Sequence, residues 1–421
     1  MADSRKRLTV TLVGGGSQNW TPTIIRDILF KPGLEDVPVE FRLLDTHQGR
    51  AKAIEALFKA KAREWKVGKR ARFRATRSAD QALAGSDFVI ITISTGRLEA
   101  MAHDLAVPEK YGIYHTVGDT AGPGGWSRAL RNIPVFADYA RRIRKLAPDA
   151  FVLNYTNPMG ALTKVLADEL GRQRVVGLCH GFFENLRVLM ALFGLSDERE
   201  IQARFGGLNH FFWILDFQVR GEDGYDLLRR KLRGRNFAVL VKEIHKDGMG
   251  FHSDKWLTGE LLTHYGCLPY VGDRHTCEFF NWSLASLETQ QRFKLVRTTV
   301  AERQAGYERA EERIARWTRG EAADWPLNPT PSRETAADII HAITFNRSFT
   351  DVVNTPNVGQ ISNLPLGAVV ETMGAVDGAG FTPLTAGPLP EAVRAVVAPH
   401  AEVQLRTVNA GLRGGFDAAI R

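Results

Sequence analysis

Short apolar runs alternate with longer amphipathic stretches through the amino-terminal half of the chain. Leu8–Val13, Val39–Leu44 and residues 88–93 are apolar, often β-branched, and too short for helices, which is typical of buried strands. The stretches between them, such as residues 48–67, repeat apolar positions every three or four residues, as helices with one packed face do. This alternation predicts an α/β fold with a doubly wound, parallel Rossmann-type sheet.

The alternation stops near residues 175–190. An apolar strand at Phe211–Val219, a basic helix at residues 227–246 and a long helix at residues 287–319 follow, with further helices towards the carboxyl terminus. We therefore predict two domains, residues 1–185 with the parallel sheet and residues 186–421 of the α+β type.

A glycine turn joins the first strand to the first helix. Gly14, Gly16 and Ser17 lie in it, and such a turn lets the backbone approach a pyrophosphate at the start of a helix. Asn19 stands where the usual fingerprint has a third glycine, so the turn alone is weak evidence. Asp45 ends the second strand and is suited to the ribose hydroxyls of NAD. A solvent-facing loop aspartate is the alternative.

Polar side chains follow two later strands, and ligand sites of open α/β sheets lie at such carboxyl edges. Asn157 comes after one strand, and Cys179 with His180 comes after the next. His210 follows a second glycine-containing segment, which makes Cys179 and His210 a candidate pair of metal ligands. The alternatives are an Asx turn at Asn157 and ordinary core or loop roles for the others.

Two further segments have an unusual composition. Residues 110–126 contain so much glycine and proline that they predict a loop lying over another part of the protein. Asp273, Arg274 and His275 stand beside several aromatic residues, an arrangement that suits a wall facing a sugar. For Arg274 and His275, a surface salt bridge is the alternative.

Composition narrows the class of protein. No run among the 421 residues approaches the ~18 apolar residues of a membrane helix. The net charge of +8 comes from basic residues spread over helical patterns, which favours a solvated surface over nucleic-acid binding. Three cysteines cannot form a disulfide framework and fit a reducing cytoplasm. We expect a cytoplasmic protein with neither membrane nor nucleic-acid partners.

Taken in order along the chain, these segments resemble glycoside hydrolase family 4, the NAD- and divalent-metal-dependent glycosidases. The matching segments are residues 14–17, 118–120, 122–125, 154–158, 177–180, 207–210 and 354–357. The resemblance implies NAD and Mn²⁺ or another divalent metal as cofactors, a small carbohydrate as substrate, and a homodimer or homotetramer. It also implies an architecture like that of lactate and malate dehydrogenases.

The mechanism implied by the resemblance differs from two-carboxylate glycoside hydrolysis. NAD would oxidise the C3 hydroxyl of the sugar, which acidifies the hydrogen on C2. A base would then remove that proton, the C1–oxygen bond would break by elimination, water would add, and the hydride would return to C3. A divalent cation would polarise the oxygens on C2 and C3.

The resemblance also assigns residues. Cys179 and His210 match the family's metal ligands, and Asn157 matches its sugar-binding asparagine. Asp273 is the candidate base, although other members use a tyrosine. Asp119 is a candidate for protonating the leaving group or for supporting the groups that do.

His180 is a second candidate for that protonation, and it also bears on the substrate. Phosphosugar members of the family carry Cys-Asp or Cys-Asn, whereas Cys179-His180 resembles the α-galactosidase, α-glucuronidase and α-galacturonidase branch. We therefore expect an unphosphorylated α-hexuronide, ahead of a neutral α-galactoside, with Arg274 or His275 meeting the carboxylate.

Two other functions remain open at this point. A plain NAD-dependent dehydrogenase of the 2-hydroxy-acid type would share the first domain, but it would need no Cys-His metal pair and would accumulate NADH. An NAD- or redox-sensing binding protein would show no turnover, and changing Asp273 would not affect it.

Overall fold

A computed structural model describes residues 7–244, 254–321, 332–414 and 417 of the chain. Its strands are β1 (Leu8–Val13), β2 (Val39–Leu44), β3 (Ala71–Thr76), β4 (Phe88–Ile91), β5 (Phe151–Asn154), β6 (Val175–Gly177), β7 (Ile201–Leu208), β8 (Phe211–Val219), β9 (Glu222–Asp223), β10 (Leu268–Pro269), β11 (Phe349–Pro356), β12 (Val369–Asp377) and β13 (Gly380–Pro383). Its helices are α1 (Trp20–Phe30), α2 (Gln48–Glu64), α3 (Ala79–Leu83), α4 (Arg97–Glu109), α5 (Gly122–Leu146), α6 (Met159–Leu170), α7 (Gly181–Phe193), α8 (Gly224–Leu232), α9 (Phe237–Ile244), α10 (Trp256–Tyr265), α11 (Asp273–Thr276), α12 (Asn281–Leu284), α13 (Leu287–Arg292), α14 (Val300–Thr318), α15 (Ala336–Phe345) and α16 (Glu391–Arg413).

All of these strands belong to one sheet. β3, β2, β1, β4, β5 and β6 are parallel neighbours in that order, which is the Rossmann strand order. Beyond β6 the sheet continues with antiparallel pairs through β11, β12, β7, β8 and β10. The predicted fold class is confirmed, while the domain boundary at residue 185 stays a prediction.

Helices cover both faces of the parallel half of the sheet. Side chains of β1 alternate between the faces, as the two-residue period of a strand requires. Val10 packs with Ile24 of α1 and Ile340 of α15 on one face, and Val13 packs with Ile133 of α5 on the other. The carboxyl ends of the parallel strands are therefore the edge that the helices leave accessible for a ligand.

Near the site, one predicted boundary was wrong and one helix was not predicted. Residues 110–126 are not all loop, because α5 begins at Gly122. Pro123 stands in the first turn of that helix, where a missing N–H leaves no hydrogen bond unmade. Residues 97–109 form α4, which the sequence pattern had not predicted.

The two long helices predicted in the second half are interrupted. Arg233, with φ of +49°, ends α8 before α9 begins. Thr299 starts α14 with a capping box to Glu302, separating it from α13. Residues 245–246 of the first predicted helix lie outside the described ranges.

Near the carboxyl terminus, the strands β12 and β13 precede α16, where the sequence predicted only helices. Residues 415, 416 and 418–421 lie outside the described ranges. No helix in the described ranges is long and apolar enough to cross a lipid bilayer.

The glycine turn after β1 packs tightly against β2, which yields a stability prediction. A Cβ at Gly15 would lie 2.5 Å from the Cα of Leu43, so Gly15→Ala should lower the free energy of unfolding by about 1–3 kcal/mol through overpacking. Gly68→Ala is the matched control, since its Cβ would meet no atom closer than 3.6 Å. Urea denaturation that gives both variants the same midpoint would contradict the close approach.

Candidate active site

Five residues on neighbouring strands, each paired with the next, form a row across the sheet. The row consists of Asn154, Gly177, Asn354, Glu371 and Gly207, on β5, β6, β11, β12 and β7 respectively. This register brings the end of β6, which leads to Cys179, level with the end of β7. The two-residue turn between β7 and β8 then carries His210, in the left-handed region with φ of +66°.

Asp119, His210 and His275 form a cluster next to this row. One candidate ligand atom from each lies within 4.8 Å of the others, and the two imidazole centroids are 4.2 Å apart. Asn157 Nδ2 donates to Asp119 Oδ2 at 3.3 Å. The structure therefore brings together four residues that are far apart in the sequence, including predicted metal-binding, substrate-binding and catalytic positions.

The Thr120 hydroxyl determines which nitrogen of His210 is available. Its single proton is donated to Asp119 Oδ1 at 2.7 Å, so its oxygen accepts a hydrogen bond from His210 Nδ1, 3.1 Å away. His210 Nε2 then carries the lone pair. A fixed tautomer of this kind is what orients a histidine ligand towards a metal.

The charges of the cluster follow from its burial. Burial lowers the pKa of His210 to about 4 and lowers the pKa of His275 well below its usual range. Burial acts to raise the pKa of Asp119, but the two histidines and Arg128 bring it well below its ordinary value. Around neutral pH the cluster holds one carboxylate and two neutral imidazoles, which are the protonation states that metal ligands require.

Cys179 lies beside a different buried group. Burial raises the pKa of its thiol, the nearby Glu371 carboxylate raises it further, and a hydrogen bond with the Asn209 side chain opposes them. Asn209 Nδ2 also donates to Glu371 Oε2 at 3.0 Å, and burial raises the pKa of Glu371 to about 7. Among the described residues, Cys179 is not one of the clustered ligands, so its metal role stays a prediction.

The carboxylate of Asp273, the candidate base, is held by the start of α10. Its carboxylate accepts hydrogen bonds from the backbone N–H groups of Leu257 and Thr258, both at 3.1 Å, and from the Thr258 hydroxyl at 2.5 Å. These N–H groups lie in the first turn of α10, whose own N-cap residue, Lys255, makes no side-chain capping bond. Asp273 therefore caps α10 from a distance, which satisfies otherwise orphaned donors, and its role as the base stays a prediction.

Tyr270, which the sequence analysis did not single out, also lies at the cluster. Its ring is stacked on His210 with centroids 5.8 Å apart, and its side chain is fully buried. Burial raises the pKa of the phenol well above its usual value, Cys179 adds to that shift, and Arg274 opposes it. Tyr270 lies in a short loop segment, two residues before a glycine, where no helix or strand periodicity marks a residue as functional.

Arg274 and His180 border the cluster. Arg274 Nη1 donates to Thr298 Oγ1 at 3.3 Å, while its buried Nε has no hydrogen-bond partner in the described part of the chain. His180 occupies the N-cap position of α7, and its Nδ1 lies 3.7 Å from Glu334 Oε1. Burial lowers the pKa of His180, and the charge of Arg187 lowers it further.

A buried carboxylate holds the loop that carries the aspartate of the cluster. Glu278 Oε1 accepts hydrogen bonds from the N–H groups of Val117 and Gly118, both at 2.7 Å. His115 Nε2 accepts from the Gly124 N–H at 3.0 Å, so His115 Nδ1 carries the proton and donates to Glu278 Oε1 at 3.1 Å. These bonds fix the loop to α5 and to the 277–279 turn.

The predicted cofactor residues also meet in space. Asp45 Oδ2 accepts a hydrogen bond from the Gly16 N–H at 2.9 Å, and the Ser17 N–H donates to the carbonyl of Gly14 at 2.8 Å. The glycine turn and the acidic end of β2 thus adjoin each other at the carboxyl edge, which is the arrangement of a dinucleotide site.

Comparison with known proteins identifies the class. Residues 9–193 match the Family 4 glycosyl hydrolase model, and residues 205–421 match the Family 4 glycosyl hydrolase C-terminal domain. An α-galacturonidase from Thermoanaerobacterium saccharolyticum is 32% identical over 98% of this chain and 90% of its own length. An α-galactosidase from Rhizobium meliloti is 31% identical over 97% of this chain and 81% of its own.

Solved structures agree with this class. The Bacillus subtilis protein lplD superposes with a TM-score of 0.88 at 30% identity, over 98% of this chain and 94% of that one. A 6-phospho-α-glucosidase from gut microorganisms, solved with NAD and Mn²⁺, has a TM-score of 0.79 at 19% identity, over 98% and 92%. Malate dehydrogenase from Plasmodium falciparum, with a TM-score of 0.54 at 11% identity over 96% and 99%, shares the fold.

The protein is thus a glycosidase built on a dehydrogenase-like fold. The chain belongs to family 4 of the glycosyl hydrolases. The alternative of a plain dehydrogenase has no support beyond that shared fold, and the predicted architecture, family and enzyme class are confirmed.

The capping role of Asp273 leads to a prediction that separates stability from catalysis. Asp273→Asn should lower the free energy of unfolding by about 0.5–2 kcal/mol, because one of the two accepting oxygens is lost. Losing a general base would cost about 10²–10⁴-fold in rate, so a rate of glycoside cleavage within tenfold of wild type is expected. Asp168→Asn, at an exposed pair with Lys164, should change neither quantity. A large loss of rate without loss of stability would restore Asp273 as the base.

Proposed function

We propose that this family 4 enzyme uses NAD and a divalent cation, Mn²⁺ foremost, to cleave an α-linked, unphosphorylated hexuronide. The observation that carries the substrate is Arg274, whose buried Nε–H lacks a partner in the described part of the chain and borders the cluster of Asp119 and two histidines. The α-galacturonidase relative supports the same substrate class. The relative solved with NAD and Mn²⁺ supports the cofactors.

The residues of the site fit both cofactors. Asn157 Oδ1 and His275 Nδ1 are buried, and neither has a hydrogen-bond partner within the described ranges. His210 Nε2 has a free lone pair, and imidazole with carboxylate suits Mn²⁺ better than a thiolate does. We propose that His210, Asp119 and Cys179 would hold the cation. The turn at Gly16 beside Asp45 would receive the dinucleotide.

The chain's own residues take the following roles in the proposal. When bound, NAD supplies a reversible hydride acceptor for C3 of the sugar, and the cation supplies Lewis acidity at its C2 and C3 oxygens. Tyr270 is the proposed base for the proton on C2, a role that requires its phenol to be ionised; a cation held at His210, against which its ring lies, would favour that ionised form. Asn157 binds a sugar hydroxyl through its unpartnered oxygen. An ionised Asp119 has no proton to give, so His180, in its imidazolium form, stays the candidate for protonating the leaving group.

Location and assembly belong to the same proposal. All three cysteines are free, which supports a reducing compartment and therefore the cytoplasm. A homodimer or homotetramer remains our prediction for the assembly.

The function is tested by incubating the enzyme with nitrophenyl α-galacturonide, NAD, Mn²⁺ and a reductant. Nitrophenol should be released over many turnovers while NADH, separated from nitrophenol by chromatography of quenched samples, does not accumulate, since the hydride returns to the sugar in each cycle. Dialysis against a chelator should abolish release, and added Mn²⁺ should restore it. Stoichiometric accumulation of NADH would refute the proposal.

The carboxylate contact is tested with Arg274→Ala. A charge-assisted hydrogen bond is worth roughly 1.5–3 kcal/mol, or about tenfold to a hundredfold or more in binding. The variant should lose that much kcat/KM on nitrophenyl α-galacturonide and much less on nitrophenyl α-galactoside. Arg406→Ala, at an exposed position of α16, is the control. Equal losses on the two substrates would remove Arg274 as the anchor.

A further inference from the structure

A cavity of about 620 Å³ adjoins the site at His180, within the size range of small-molecule pockets. It lies between the start of α1, one side of α7 and residues 332–334. The residues that matter for its chemistry are Trp20, His180, Phe183, Arg187, Arg333 and Glu334. Of the residues given roles above, His180 alone lines this cavity.

Two aromatic rings give the cavity a rigid apolar lining. Trp20 packs against Tyr155 with ring centroids 4.8 Å apart and lies 6.3 Å from the His180 ring. The guanidinium of Arg333 lies 3.9 Å from the centroid of Phe183. Apolar ring faces combined with a few polar groups are typical of pockets that hold a small ligand in one orientation.

The cations that line the cavity already have carboxylate partners. Arg333 lies 2.9 Å from Glu198 and 3.0 Å from Asp351, and Arg187 is paired with Glu184. These pairs leave little positive charge to offset a carboxylate on a ligand.

Glu334 adds a further carboxylate to this lining. Its Oε1 lies 3.7 Å from His180 Nδ1. Burial raises the pKa of Glu334 to about 7, the nearby Asp27 also raises it, and Arg333 acts in the opposite direction. The group is therefore partly ionised at neutral pH. A second carboxylate brought into this space would meet a like charge in a region of low dielectric constant.

We propose that this cavity is the aglycone subsite and that Glu334 makes it selective for a neutral sugar over a second uronic acid. The inference rests on the proposed function, because a donor at His180 would stand beside the glycosidic oxygen. The group attached to that oxygen then occupies the space next to His180. The enzyme would thus remove an α-uronosyl unit from a neutral sugar. Arg274 would bind the carboxylate of the uronosyl unit, and Glu334 would disfavour a carboxylate on the other sugar.

The test compares two disaccharides that share an α-galacturonosyl unit, one ending in a neutral hexose and the other in galacturonic acid. Wild type should have a kcat/KM about tenfold or more higher for the disaccharide that ends in the neutral hexose. A factor of this size is what at least one close like-charge contact would cause. Glu334→Gln keeps the shape, removes the charge, and should bring the ratio to within about threefold. Glu391→Gln, an exposed glutamate at the start of α16, should leave both the ratio and the rates unchanged.

The outcomes separate this inference from the function on which it rests. Nitrophenyl α-galacturonide, measured in wild type, reports the glycosidase alone. Normal cleavage of that reference with equal kcat/KM on the two disaccharides, or with a preference for the acidic one, overturns the aglycone assignment only. A ratio in Glu334→Gln that equals the wild-type ratio removes Glu334 as its source. No cleavage of the reference overturns both. Because wild type alone can refute the subsite, the test does not depend on the variant folding.

Discussion

The register between β6, β11, β12 and β7 is the constraint on which the site depends. It places Gly177 and Gly207 in one row, so that the segments beyond them emerge at the same edge of the sheet. A Cβ at Gly207 would lie 2.4 Å from the carbonyl oxygen of Phe211, so the turn that carries His210 depends on that close approach. A one-residue slip would move every side chain of a strand to the other face and separate His210 from Asp119 and His275.

Buried polar groups then hold the site in place before any ligand arrives. Glu278 binds two backbone N–H groups of the loop that carries Asp119, and Glu371 binds Asn209, the neighbour of His210. Leaving such carboxylates unpaired in the interior would cost several kcal/mol, so the partners and the loop positions stabilise each other. Preorganisation of this kind spares the enzyme from ordering its groups during the reaction.

The electrostatic layout of the site separates a position suited to a cation from a position suited to an anion. Neutral imidazoles beside an ionised Asp119 favour a cation at the centre, while the unpartnered Nε of Arg274 favours an anion at the border. Burial is the common cause, because it keeps the histidines uncharged and encloses the Nε of Arg274. The site can therefore accept opposite charges a short distance apart without neutralising its own groups.

The sequence by itself determined the parallel half of the fold, the glycine turn beside Asp45, and the polar ends at Asn157 and Cys179, because strand period and turn chemistry are local. The helix breaks at Arg233 and Thr299 were not predicted from the sequence. At each, the backbone or capping preference of a single residue ends or starts a helix within a stretch whose apolar spacing is helical throughout. Only the tertiary structure decided that His275 joins His210 while its neighbour Asp273 caps α10. Residues two positions apart on a short helix point to different sides of it, and the side that faces the site depends on elements packed there from elsewhere in the chain. Local patterns carry no record of such distant contacts.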